Sequence, residues 1–174
     1  MSKTPALTQP ASPAPAGEVD AASPAPLLDH AFTARITLDP PVEMGMVADG
    51  RRRYIPIAGG TICGPMLRGT VLPGGGDWQT IREDGVTLVE AHYALRAEDG
   101  TIIEIRNPGV RVASVEVSNM LARGEPVDPS AYYFRTTPRF TVEPGAHDWL
   151  ARHVFVARGI RLPSEVQIDV YILR

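Results

Sequence analysis

One cysteine, Cys63, stands in a chain of 174 residues, so no internal disulfide can staple the fold. That suits a reducing compartment, and a cytoplasmic location is expected. Long apolar runs are missing too. Nothing approaches the roughly 18 residues of a membrane-spanning helix, and the N-terminus lacks the apolar stretch of a secretory leader. Neither a membrane anchor nor membrane contact is expected. Charge of one sign is scarce, with a net charge of -3, so no basic surface for nucleic acid is expected. His30, His92, His147 and His153 include no pair at the i, i+2 or i, i+4 spacing of shared metal ligands. No Gly-x-Ser-x-Gly elbow occurs, and no Gly-Lys-Ser/Thr follows the glycines of Pro73–Asp77. A metal is expected to be absent, and Cys63, in an apolar strand, is expected to be a buried, inert thiol.

What is present is turn chemistry between short alternating runs. Residues 1–26 are dominated by Ala, Pro, Ser and Thr and bury too little apolar surface to order themselves. They predict an extended tail, and residues 27–174 predict one folded domain. Phe32, Ala34, Ile36 and Leu38 alternate with Thr33, Arg35 and Thr37, and Val166, Ile168, Val170 and Ile172 do the same near the C-terminus. A period of two puts one side of each strand on a core. Strands at both ends of a domain are well placed to pair and close a sheet. Asp84-Gly85 and Asp99-Gly100 bracket Val86–Leu95, which predicts a hairpin with Thr101–Asn107. Arg53–Ile57 and Thr61–Val71 predict an earlier pair, turning at Gly59-Gly60. Tyr132–Val142 and His153–Ala157 are further strands. Val115–Arg123, stopped by Gly124, and residues 146–151 predict two short helices. Many short strands with Gly and Pro turns favour an antiparallel barrel or sandwich.

Val86–Leu95 carries the most chemistry. Val89, Ala91, Tyr93 and Leu95 make one apolar face, and the other is apolar apart from Glu90 and His92. Those two project the same way, with Cα atoms about 7 Å apart. On the wall of a cavity they could act as general acid and base near neutral pH; on an outer face they would be a surface ion pair. Arg135, among Tyr132, Tyr133 and Phe134, could clamp an anionic ligand or pair with Glu90 or Glu104. The loop before Asp77 and Trp78 would position both, with Trp78 capping a pocket or plugging one end of a barrel.

Several stretches together resemble a known family. They are Gly59-Gly60 through Gly64-Pro65, then Val71-Leu72-Pro73-Gly74-Gly75 ending in Asp77-Trp78, then Asp84-Gly85, Tyr93, Asp99-Gly100 and Asn107-Pro108-Gly109. The series ends with Tyr133-Phe134-Arg135-Thr136, Pro138, Phe140, Trp149-Leu150, Phe155-Val156 and Gly159. From about Leu27 to Arg174 the chain resembles the domain of unknown function family 3237. The resemblance implies an all-β antiparallel barrel with one or two short helices, similar in architecture to allene oxide cyclase and dirigent proteins. It further implies a ligand-sized lumen, a homo-oligomer and chemistry without a cofactor. In this family the position of His92 is commonly Arg, so this chain departs from the pattern there.

Together these features lead to the expectation of a barrel that binds a small, apolar or aromatic molecule in its lumen. Glu90 and His92 would transfer protons in an isomerisation, cyclisation or lyase step. Arg135 would hold a carboxylate or enolate, and Tyr93, Trp78, Asp77, Asn107 and Trp149 would line the cavity. The alternatives are a lipocalin-like carrier or sensor that needs no proton transfer, and an interaction module whose barrel has no pocket.

Overall fold

The computed structural model describes residues 25–174, and the expected N-terminal tail, apart from its last two residues, lies outside them. In chain order the strands are β1 (Leu28–Leu38), β2 (Val42–Val47), β3 (Gly50–Cys63), β4 (Gly69–Val71), β5 (Gly76–Ile81), β6 (Val86–Ala97) and β7 (Ile102–Val112). Helix α1 (Val115–Ala122) follows, then β8 (Tyr133–Thr136), β9 (Arg139–Val142), helix α2 (Trp149–Arg152), β10 (Phe155–Arg161) and β11 (Glu165–Leu173). Eight of the strands form a closed antiparallel ring, β1-β3-β5-β6-β7-β8-β10-β11 and back to β1. Closure leaves no edge among these eight. β4 bridges β3 and β6 beyond the end of β5, β9 continues along β7 beyond β8, and among the described residues β2 pairs with β3 alone.

The first and last strands pair over nearly their whole length, from Leu28 opposite Leu173 to Thr37 opposite Glu165. The hairpin at Asp99-Gly100 forms as its turn chemistry requires, with β6 and β7 in register from Val86–Val112 to Arg96–Ile102. Gly59-Gly60 does not turn the chain. β3 runs through it as one strand, pairing with β1 on one side and with β5 and then β4 on the other. The pair of glycines serves a close approach instead. Gly60, at φ +150°, faces Ile36, and a Cβ there would collide with the carbonyl oxygen of Arg35.

Alternation decides what lies inside. Phe32, Ile62, Leu95, Ile103, Ile105, Phe155, Val170 and Ile172 are buried and pack one half of the barrel solid. Phe140 and Phe155 meet edge to face at 5.0 Å between ring centroids, which suits their quadrupoles. Leu150 of α2 seals that end. The other half is different. There the inner positions turn polar, and α1 places Leu121 against Val89, Tyr132 and Phe134 beside them. Cys63 is exposed at the end of β3, not buried as its apolar neighbours suggested. The parity of β3 changes at the glycines, so Ile62 takes the inward place and Cys63 the outward one. Among the described residues no helix is long and apolar enough to cross a membrane.

Candidate functional site

The polar half of the barrel holds a cavity lined by apolar residues from β1, β3, β6 and β11 (Ile36, Ile55, Ile57, Ala91, Ile168) and by a polar set comprising Asp77, Gln79, Tyr93, Asn107, Arg111, Thr136 and Arg161. Its free volume is about 40 Å³, on the scale of one or two waters. Strand register brings the polar set together from five strands. Asp77 of β5 is opposite Ala91 of β6, Ala91 is opposite Asn107 of β7, and Gly109 of β7 is opposite Thr136 of β8. Arg161 enters from β10 opposite Val166.

Asp77 is the hub. Its Oδ2 accepts from Gln79 Nε2 at 2.5 Å, and its Oδ1 accepts from the backbone N–H of Glu90 at 3.1 Å. Behind Gln79, Arg53 Nε and Nη2 donate to Gln79 Oε1 at 2.9 and 2.7 Å. Burial pushes the Asp77 carboxyl above the ordinary carboxylate range, against those hydrogen bonds and the fields of Arg111 and Arg53. Burial, then the charge of Asp77, pushes the Tyr93 phenol upward, so it stays a neutral hydroxyl. Arg111 is pushed down to about 10, first by burial and then by Arg53. It remains a cation at neutral pH. Asn107 Oδ1 and Thr136 Oγ1 are buried with no hydrogen-bond partner among the described residues. Such groups cost free energy until something donates to them or accepts from them.

Three of the residues singled out in the sequence (Asp77, Tyr93 and Asn107) line this cavity. The others do not. Glu90 and His92 point outward, with side chains 68% and 45% exposed. Glu90 lies 3.9 Å from Arg52, and His92 Nε2 is 2.7 Å from Glu104 Oε1. The physical reason is that Val89, Ala91, Tyr93, Leu95 and Ala97 of β6 take the inward parity, so the acid and the imidazole must take the outward one. That corrects the expectation of an acid–base pair in the lumen.

Arg135 is also outside, its guanidinium 5.1 Å from the Tyr133 ring centroid and donating to Phe134 O at 2.9 Å. It pairs with neither Glu90 nor Glu104 among the described residues. Trp78 lies against Tyr54 on the outer face, at 4.8 Å between ring centroids, and neither caps nor plugs the barrel. Trp149, on α2, packs on Phe155 at 5.8 Å, remote from the cavity lining.

Sequence reasoning passed over Arg53, Gln79, Arg111, Thr136 and Arg161. The signal for the arginines was parity. Arg53 continues Ile55 and Ile57, Arg111 continues Ile103, Ile105 and Asn107, and Arg161 continues Ala157 and Gly159. Each is the charged residue on an otherwise uncharged inward row. Among the described residues no three His, Cys, Asp or Glu side chains gather to hold a metal ion.

A closed eight-stranded antiparallel barrel, solid at one end and hollow and polar at the other, defines the class of this protein. The chain belongs to the family described as protein of unknown function DUF3237, whose model matches residues 26–173. A UPF0311 protein of Bradyrhizobium diazoefficiens is 43% identical over 148 residues, spanning 84% of this chain and 97% of the relative. The crystal structure of a conserved protein of unknown function from Rhodopseudomonas palustris matches with a TM-score of 0.84 at 38% identity, over 87% of this chain and all (100%) of that one. A β-barrel-like protein of Acinetobacter baumannii matches at 0.77 and 36% identity, over 87% and 98% of the two chains. An enzyme from Penicillium herquei shares the fold at a TM-score of 0.65 and 20% identity, over the same shares, 87% and 98%.

Proposed function

We propose that this barrel takes a small molecule into the polar half of its lumen and moves a proton on it without a cofactor, in an isomerisation, cyclisation or elimination. Asp77, not the Glu90–His92 pair, is the proton acceptor, and Tyr93 and Thr136 supply neutral hydroxyls to the same space. The observation that carries the reading is a carboxyl raised by burial inside a cavity where Asn107 and Thr136 have oxygens without partners. A base poised nearer neutral pH moves protons more effectively than an ordinary carboxylate, and such positioning contributes about 10²–10⁴ in rate. The free volume of about 40 Å³ means that a larger ligand must displace lining side chains on entry.

The apolar wall formed by Ile36, Ile55, Ile57 and Ile168 also suits a carrier, which needs no proton transfer. One experiment separates the two. Native mass spectrometry of freshly purified protein identifies a retained molecule, which is then incubated with the protein in D2O. Incorporation of deuterium at carbon, lost in Asp77→Asn while retention persists, is the expected result. A molecule returned unlabelled by the native chain would leave only the carrier.

Assembly of identical copies is part of the proposal. Among the described residues β2 presents an unpaired edge with Val42, Met44, Met46 and Val47 exposed, and a two-fold axis would pair it with the same strand of a second copy. Light scattering on a sizing column should give a dimer for the native chain and a monomer for Met46→Lys. A monomeric native chain would remove this part.

A further inference from the structure

Charge at the hollow end of the barrel is not balanced. Arg111 and Arg161 line the cavity, and Arg53 stands behind Gln79 close enough to act on both. The carboxylate facing them is Asp77; the other acid in the field of Arg53 is Glu43, which lies on the exposed β2 strand. Among the described residues none of the three arginines forms an ion pair, although Arg53 is only 8% and Arg111 only 5% exposed. Buried cations without a counter-charge are costly, and an anion received beside them would offset that cost.

The three are not equivalent. Arg53 spends two donors on Gln79 Oε1. Arg161 spends Nη1 on the carbonyl oxygens of Leu162 and Glu165, at 2.5 and 2.8 Å. Arg111 makes no side-chain hydrogen bond to any described residue, yet its guanidinium lies in the cavity lining. Thr136, whose hydroxyl is also unpartnered, stands on the same wall. A planar fork with free donors and one hydroxyl beside it, at the rim of an apolar space, matches a planar carboxylate. The same fork would fit two phosphate oxygens, but the rest of the lining does not favour a tetrahedral dianion: Ile36, Ile55, Ile57 and Ile168 offer its remaining oxygens no partner, whereas they suit the apolar body of a carboxylic acid.

We infer that the molecule received in this lumen is an organic carboxylate with an apolar body, its carboxylate held bidentately by Arg111 with the Thr136 hydroxyl as a third contact. The inference rests on the lumen being the binding site, as proposed above. It assigns Arg111 as the residue that selects for charge, while Ile36, Ile55, Ile57 and Ile168 receive the apolar body.

The test is equilibrium binding to the full chain, read by ligand-detected NMR and by thermal shift, with benzoate, benzamide and inorganic phosphate as probes. Benzoate and benzamide have the same shape and differ in charge. Benzoate should bind and raise the melting temperature in a concentration-dependent way. Benzamide should bind at least ten-fold more weakly, and phosphate not at all. Arg111→Met should lose at least ten-fold of the benzoate affinity and leave benzamide where it was. Arg111→Gln provides the same readout if the methionine variant does not fold. Benzamide as tight as benzoate, phosphate preferred over both, benzoate unaffected by either Arg111 variant, or no benzoate binding would each overturn the carboxylate assignment. Ala91→Leu, which fills the lumen from β6, separates this failure from that of the site itself. Benzoate bound equally well by Ala91→Leu would show that the lumen is not the site, whereas benzamide bound by the native chain and lost in Ala91→Leu would keep the lumen and remove only the charge.

Discussion

At Asp77, burial and hydrogen bonding pull in opposite directions, and burial wins. Gln79 and the Glu90 backbone stabilise the charged form, but the cavity wall removes more solvation than they return. The consequence for stability follows from linkage. The folded carboxyl titrates above the unfolded one, which sits near 3.8, so between the two values the folded chain holds a proton that the unfolded chain has released. Stability from this group is therefore complete below the unfolded value and is lost as pH rises through the folded one. Asp77→Asn has no such group. In urea titrations from pH 4 to pH 7 the stability of the native chain minus that of Asp77→Asn should fall as pH rises. A difference that rose with pH would mean that the carboxylate is stabilised in the fold, and would remove Asp77 as a poised base. Arg111 shows why its own role was hard to see in advance. Between Val110 and Val112 it looks like an ordinary strand arginine, and only the inward parity of Asn107 and Ile105 places it inside.

Strands in this sequence could be located where turn chemistry and alternation agree, although β1 starts at Leu28 and not at Phe32, and β7 runs to Val112 and not to Asn107. The Asp99-Gly100 hairpin follows from turn preference and a period of two, and the two terminal strands, which alternation locates without naming their partners, pair with each other. β6 shows where such reasoning stops. Alternation divides a strand into two faces without saying which is inside, and both faces of β6 are rich in apolar residues. The choice is made by neighbours distant in sequence: Tyr93 must meet Ile105 of β7, and Leu95 must meet Ile103. Gly59-Gly60 misled for a related reason, since a glycine pair marks a tight backbone approach as readily as a turn.

The seam joining the chain ends carries its own ionic device. Asp169 of β11 accepts from Thr33 Oγ1 of β1 at 2.9 Å and from Gln167 Nε2 at 2.9 Å. It also accepts from Arg158 Nε and Nη2 of β10 at 3.1 and 2.7 Å. Burial pulls its carboxyl upward, but those hydrogen bonds and the Arg158 charge outweigh it and hold it below the ordinary range. Three strands are tied at one side chain that is 6% exposed. Asp169→Ala should lower stability by about 1–2 kcal/mol in urea unfolding, less than for fully buried donors because the Arg158 side chain is 48% exposed and can be rehydrated. A change under 0.5 kcal/mol (roughly the scatter of surface substitutions) would mean that solvent replaces the carboxylate at no cost.

Taken whole, the molecule is a barrel with two unlike halves, and that division makes both its stability and its site. Eight strands enclose a space that side chains can fill. Here the end sealed by α2 is filled with aliphatic and aromatic groups, and the end beside α1 keeps room among arginines and an acid. Equal truncations should therefore cost unequal amounts. Ile103 is fully buried in the solid half, while Ile55, 2% exposed, borders the cavity. Removing three carbons from Ile103 opens a void among apolar neighbours that water does not enter, so both the transfer and the cavity contributions are lost. Removing them from Ile55 enlarges a space whose polar lining can hold water, so the cavity contribution largely disappears. Ile103→Ala is expected near the upper end of the roughly 2–5 kcal/mol range for such changes, and Ile55→Ala near the lower end. Ile55→Ala should also admit a bulkier carboxylate, read as tighter binding of 2-naphthoate relative to benzoate. Equal losses of stability, measured as urea midpoints with unchanged slopes, would mean that the hollow half is as dry and as tightly packed as the other, and a lumen of that kind could not receive a polar ligand.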